Sequence, residues 1–418
     1  MLSTRIRVFT GLALTAALSC WSARAQDHDG YRDHDNDMHV RHVFVIALEN
    51  HNWTQPNANT GQTSGIQQFY QNPNAPFINS LVDGSAKAYI NGRLVDISKQ
   101  VAYATEYHNV LASDDPNGPH IHPSEPQYLW AEAGTNFGIF NDADPYPANV
   151  QSTTQHLSGL LQHAGVSWKS YQEDTDLATS NGKQTNLPLP ANQWTVPLVS
   201  SSGRFNPGSM LNEYSDTLQY NYAPKHNPMV FFPDTNGNGD TTTANPERFH
   251  YAPLQQLAFD LENNRVADYN WITPDQYNEM HSGLSGGFAG MTGDAANIKA
   301  GDNTVSRLVP MIMASQAYKE GGAIILWWDE SESQGPGDNG DDLNHTIGEI
   351  VISPMAHENV GGMPYASAVF YSHSSDLRTM QEIFHVRAMG GSSPYLGDAK
   401  NANDLSDLFQ PGVIPTQP

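Results

Sequence analysis

The fold is decided by Ala323-Ile-Ile-Leu-Trp-Trp328, six apolar residues that run without a break into Asp329-Glu330. A run this short, β-branched and aromatic predicts a strand buried on both faces, as in a parallel sheet covered by helices. Just upstream, Val305, Leu308, Val309, Ile312 and Met313 recur at helical spacing, and the helix predicted over residues 305–319 stops at Gly321-Gly322. Further out, His42-Val-Phe-Val-Ile-Ala-Leu48 reads as a second buried strand and also ends on a polar pair, Glu49-Asn50. Residues 229–232, 269–272 and 349–353 read as further strands. Residues 153–163 form an amphipathic stretch with Gly165 as its C-cap, leading into 166–171, and Ser372 caps a helix that runs to Phe384. Strands alternating with helices predict an α/β fold, a mostly parallel sheet with helices on both faces and long loops. Nothing repeats at a fixed period and no linker interrupts 42–400, so one domain is expected over 42–418.

Composition narrows the function. The 418 residues carry 20 Lys+Arg against 44 Asp+Glu, a formal charge of -24, which excludes a phosphate-neutralising nucleic-acid surface. Arg5 and Arg7, the apolar stretch 8–18 and Ala23-Arg24-Ala25 read as a signal peptide, 1–25, cut before Gln26. Residues 26–41 are almost all polar and read as a disordered Asp/His-rich leader. Cleavage would remove Cys20, the one cysteine, so a secreted or periplasmic chain without disulfides is expected. No later stretch is long and apolar enough to span a bilayer.

Open α/β sheets bind ligands beyond the carboxyl ends of their strands. Glu49-Asn50 and Asp329-Glu330 both follow apolar strands, and three carboxylates with an amide oxygen make a hard-oxygen site for a divalent cation. A second segment, His120-Ile-His-Pro-Ser-Glu-Pro-Gln-Tyr128, frames Ser124 between prolines and suits a positioned nucleophile.

In order along the chain, several segments together resemble the secreted phosphoesterase family of bacterial acid phosphatases and phospholipases C, within the alkaline-phosphatase-like superfamily. They are 42–50, 122–129, 165–173, His226-Asn-Pro-Met-Val-Phe-Phe232, Ile272-Thr-Pro-Asp-Gln-Tyr-Asn-Glu-Met-His281, 324–330, His345 with 351–354, and Tyr371-Ser-His373 with 377–379. The resemblance implies an alkaline-phosphatase-like fold and hydrolysis of phosphate esters. It implies Glu49, Asn50, Asp329 and Glu330 as metal ligands and Ser124 as nucleophile, giving a phosphoserine intermediate; Thr135 is the reserve candidate. His281, His345 and His373 are expected to bind phosphate oxygens or protonate the leaving group, with Gln127 and Asn136 contacting substrate. Two positions depart from the family pattern: Gln127 stands where Asn is common, and Glu279 where Asp precedes Met-His.

One motif competes. Asp234-Thr-Asn-Gly-Asn-Gly-Asp240 places Asp234, Asn236, Asn238 and Asp240 at alternate positions, like the first half of an EF-hand loop, but its twelfth position is Asn245. A structural calcium and a Gly-rich turn are both readings of it. Three functions remain: an acid-phosphatase-type monoesterase on a small phosphate ester, a phospholipase C, and an inactive calcium-dependent binding protein. The missing basic amphipathic helix and the negative charge favour the first. The oligomeric state is not read from the sequence.

Overall fold

The computed structural model describes residues 39–54, 68, 70–108, 123–201, 204–205, 208–331, 346–359 and 361–418. The expected signal peptide, most of the leader and His345 lie outside the described residues. Two residues assigned to the leader are already part of the folded body: Val40 is buried, and the Arg41 amide donates to the carbonyl of Gly321.

Eight strands form one central sheet: β1 His42–Leu48, β2 Val101–Ala104, β3 Trp168–Gln172, β4 Tyr251–Pro253, β5 Tyr269–Thr273, β6 Gly322–Trp328, β7 Glu349–Ile352 and β8 Tyr365–Ser367. Their order across the sheet is β4-β3-β5-β1-β6-β7-β2-β8. The first five neighbours are parallel, β7 runs antiparallel to both β6 and β2, and β8 is parallel to β2. The sheet is thus mixed and mostly parallel, as expected. The apolar run that decides the fold is fully buried as β6, beside the equally buried β1.

Helices α1 Pro76–Asp83, α2 Glu125–Ala133, α3 Leu157–Ala164, α4 Asp294–Ala314 and α5 His373–Ile383 complete the frame. Gly165 takes the left-handed conformation after α3, as its C-cap position requires. Ser372 caps α5, with the Ser375 hydroxyl accepting the Ser372 N–H. Two readings change. The long helix starts earlier than its apolar spacing showed and ends at Ser315, whose side chain caps a separate turn, Gln316–Lys319. Residues 229–232 are no strand: Pro228–Phe231 is a 3-10 turn. Pro228 lacks the N–H a ladder needs, and Phe231 and Phe232 are buried against Leu129, Ala133 and Ile139 instead of the sheet.

Candidate active site

Adjacency of β1 and β6 builds the site. Their parallel register pairs Leu48 with Trp328, so Glu49-Asn50 and Asp329-Glu330 leave the sheet side by side at its carboxyl edge. The turn is fixed locally. Asn50 adopts φ 37, a left-handed conformation Asn tolerates, and its N–H donates to Asp329 Oδ1 at 2.9 Å.

Ser124 arrives from a third element. It is the residue before α2, with Pro126 in the first helical turn, where a missing N–H costs nothing. The stiff loop expected here is therefore a helix start, and Ser124 sits at the positive end of the helix dipole. Its buried hydroxyl lies 3.1 Å from Glu49 Oε2, 3.1 Å from Glu330 Oε1 and 3.3 Å from Asn50 Oδ1. Groups 74 and more residues apart in sequence thus converge on one oxygen.

Three further side chains surround Glu49. The Tyr128 hydroxyl donates to its Oε1 at 2.6 Å, one helical turn after Ser124. His226, on the turn Pro224–His226, places Nε2 3.2 Å from Glu49 Oε1 and Nδ1 3.1 Å from Glu279 Oε1, and its ring stacks on Tyr128. Glu279 follows β5, and its carbonyl accepts the Glu49 N–H. Met280 holds φ 87, a strained value for a non-glycine residue, between Glu279 and His281. Oxygen or nitrogen atoms of Glu49, His226 and Glu279 all lie within 4.8 Å of one another. No local pattern assigns Tyr128, His226 or Glu279 a role. His226-Asn-Pro and the Asp-to-Glu change at 279 were the signals available.

Burial dominates the electrostatics. It pushes the Glu49 carboxyl up to about 8, against the pull of His226 and the Tyr128 hydrogen bond. Glu279 and Asp329 are raised well above the carboxylate range by the same desolvation. Burial also pulls His226 and His281 down to about 4, so neither imidazole balances these acids. Asp329 Oδ2 is buried without a hydrogen-bond partner. Oxygens gathered in a dry site, one of them orphaned, fit the hard divalent cation expected at Glu49, Asn50, Asp329 and Glu330.

The remaining candidates are placed as follows. His281 is half-buried and within the field of His226 and Lys225. His373 is fully buried: Nε2 donates to the Trp328 carbonyl at 3.0 Å, and Nδ1 faces the Gln127 side-chain amide at 3.2 Å. With its Nε2 proton so used, Nδ1 is an acceptor, and the Gln127 amide must turn its NH₂ toward it. Asn136 bonds within its own turn, through the Ile139 carbonyl and the Gly138 N–H. Thr135 accepts the Phe137 N–H.

The EF-hand-like segment does not converge. Asp234 pairs with His156, Asn236 bonds the Val230 carbonyl and Gly239 N–H, and Asp240 accepts the Thr242 N–H. A cap-like network, with Asn245 donating to the carbonyls of Asn236 and Asp240, replaces a ligand cage. A separate acid group, Glu173, Asp174 and Asp275, lies at the ends of β3 and β5. Glu173 there accepts from Asn212, Asn278 and the Asp275 N–H, which marks it as a structural carboxylate.

Known proteins resemble this chain in sequence. A probable acid phosphatase of Kluyveromyces lactis is 24% identical over 290 residues, 69% of this chain and 55% of that protein. The phosphate-repressible acid phosphatase of Penicillium chrysogenum is 24% identical over 270 residues, 64% of this chain and 51% of its own length. An acid phosphatase of Aspergillus fumigatus is 30% identical over 164 residues, 38% of this chain and 28% of that one. The chain thus spans about half the length of the first two of these relatives. Among solved structures, a protein in the alkaline phosphatase superfamily from Vibrio parahaemolyticus overlays with TM-score 0.41 at 10% identity, covering 83% of this chain and 67% of that one. The lipoteichoic acid synthase LtaP from Listeria monocytogenes overlays with TM-score 0.45 at 8% identity, covering 88% and 77%. The model of the Phosphoesterase family matches residues 50–387, from Asn50 through the whole of α5, and the chain belongs to that family.

Proposed function

We propose that this protein hydrolyses phosphate monoesters in the manner of an acid phosphatase, with Ser124 as nucleophile. The observation that carries the reading is the Ser124 hydroxyl, buried within 3.3 Å of Glu49, Asn50 and Glu330 at the edge of the sheet. Those residues and Asp329 would hold a divalent cation, which supplies Lewis-acid stabilisation of charge on phosphoryl oxygen and lowers the pKa of a nearby hydroxyl. Ser124 Oγ attacks phosphorus and gives its proton to Glu330, 3.1 Å away. The ester P–O bond breaks, and the leaving oxygen takes its proton from water, since burial keeps His281 neutral. Water then cleaves the phosphoserine and regenerates the hydroxyl. Tyr128 holds Glu49 in place from behind, and His373 and Gln127 brace each other beside the same strand end. An exported chain fits the N-terminal pattern of residues 1–25, and among the described residues no helix is long and apolar enough to cross a membrane.

The test is an acid quench during turnover of a ³²P-labelled monoester. Label is expected on the peptide spanning residues 120–128, and Ser124→Ala should lose it together with roughly 10²-fold or more in kcat. Label on the peptide holding Thr135 would move the role there. Faster turnover of phosphatidylcholine micelles than of any monoester would make the protein a phospholipase C. Turnover of neither, with retained calcium binding, would make it a binding protein.

A further inference from the structure

Lys225 stands on the same short turn as His226. Its ammonium is bridged to Asp142, and the other oxygen of that carboxylate, Oδ1, accepts the Glu125 N–H at 3.2 Å. One aspartate therefore ties the residue after Ser124 to a lysine. The charge of Lys225 reaches Glu49, which touches the nucleophile, Glu125, which follows it, and Glu279, His226 and His281. Burial opposes that charge, but Asp142, Glu49 and Glu279 outweigh it and hold the ammonium above its ordinary pKa. The side chain keeps 17% of its surface exposed, so an anion arriving from solvent can meet it. His226 cannot take this role, since burial keeps it neutral.

We propose that Lys225, clamped by Asp142, is a substrate-binding residue that grips the non-bridging oxygens of the phosphate and makes the site prefer the doubly charged monoester to the singly charged diester. The inference deepens the reading given under Proposed function and rests on it. The physical basis is simple. An ammonium offers three donors, and its attraction to a dianion is about twice that to a monoanion at the same distance. Tied through Asp142 to the residue after the nucleophile, that attraction acts on the group whose charge the transition state redistributes.

Two measurements test it on the purified protein: calorimetric titration with inorganic phosphate, and hydrolysis of p-nitrophenyl phosphate against bis(p-nitrophenyl) phosphate. Lys225→Gln should weaken phosphate binding by roughly 10- to 100-fold, the range for one charge-assisted hydrogen bond. The monoester kcat/KM should fall by a similar factor and the diester's by several-fold less, while Lys225→Arg restores most of both. Unchanged phosphate affinity in Lys225→Gln, or equal losses on the two esters, would overturn the proposal. Should the wild type hydrolyse neither ester, the enzymatic reading fails and the phosphate titration alone decides whether Lys225 binds the anion. Should the wild type turn over esters yet Lys225→Gln bind phosphate normally, the reading stands and Lys225 does not carry it. If Lys225→Gln does not fold, acetylation of the wild type read by mass spectrometry replaces it. Phosphate should then protect Lys225, and equal labelling with and without phosphate refutes its role.

Discussion

Glu349 and Asp376 form a buried acid pair outside the proposed chemistry, and it makes stability depend on pH. Glu349 lies on β7 opposite Trp327 of β6, and Asp376 is in the first turn of α5. The Tyr107 hydroxyl donates to Asp376 Oδ2 at 2.5 Å, and beyond the contact between the two carboxyls the Glu349 oxygens and Asp376 Oδ1 have no hydrogen-bond partner. Two carboxyls in contact can coexist in the core only by sharing a proton. Burial accordingly lifts Asp376 from 3.8 to about 7 and Glu349 well above its usual range. A raised native pKa means that the folded state keeps a proton the unfolded chain has released. Stability is therefore fully present below about pH 4 and is lost as pH climbs through about 7. A shift of about three units corresponds to roughly 4 kcal/mol, at about 1.4 kcal/mol per pH unit.

Glu349→Gln tests this. The amide keeps the shape, removes one acid and offers Asp376 a donor in place of the shared proton. The variant should be about 2–4 kcal/mol more stable than wild type near pH 7.5 and lose that advantage near pH 4. Urea denaturation of both proteins at both pH values measures it. The comparison cancels every other buried acid, including Glu125, which burial lifts to about 8. A midpoint difference that is the same at the two pH values would refute the shared-proton argument.

Two other outcomes follow from the geometry. Asp329→Asn keeps shape but removes a ligand charge, so bound metal, measured by elemental analysis, and turnover should fall together; full activity without metal would end the metal assignment. Gly134, the C-cap of α2 at φ 65, is packed so that a Cβ would meet the Asp398 amide nitrogen at 2.8 Å and the Leu396 oxygen at 2.9 Å. Gly134→Ala should therefore cost about 2 kcal/mol or more in a thermal melt, and a neutral effect would mean that the Leu396–Asp398 segment yields easily.

Some of this protein is legible in its sequence alone. A continuous apolar run such as 323–328 can be satisfied only by a strand covered on both faces, so the class of fold and the acids at that strand's end follow from hydrophobicity and length. The helix end at Gly165 and the helix start at Ser372 are equally local, because a left-handed backbone and an N-cap each demand particular residues. Tertiary contact decided the rest. That β1 and β6 are neighbours, and that Ser124 reaches both, depends on pairings 279 and 206 residues apart that no local pattern encodes. Residues 229–232 look like a strand because four apolar residues read the same in a ladder or a buried turn, and only Phe231 and Phe232 packing on α2 settles which. Likewise Tyr128, His226, Glu279 and Lys225 carry no spacing signal. Their importance comes from desolvation and from neighbours brought by the fold, and those exist only once the chain has closed around Glu49.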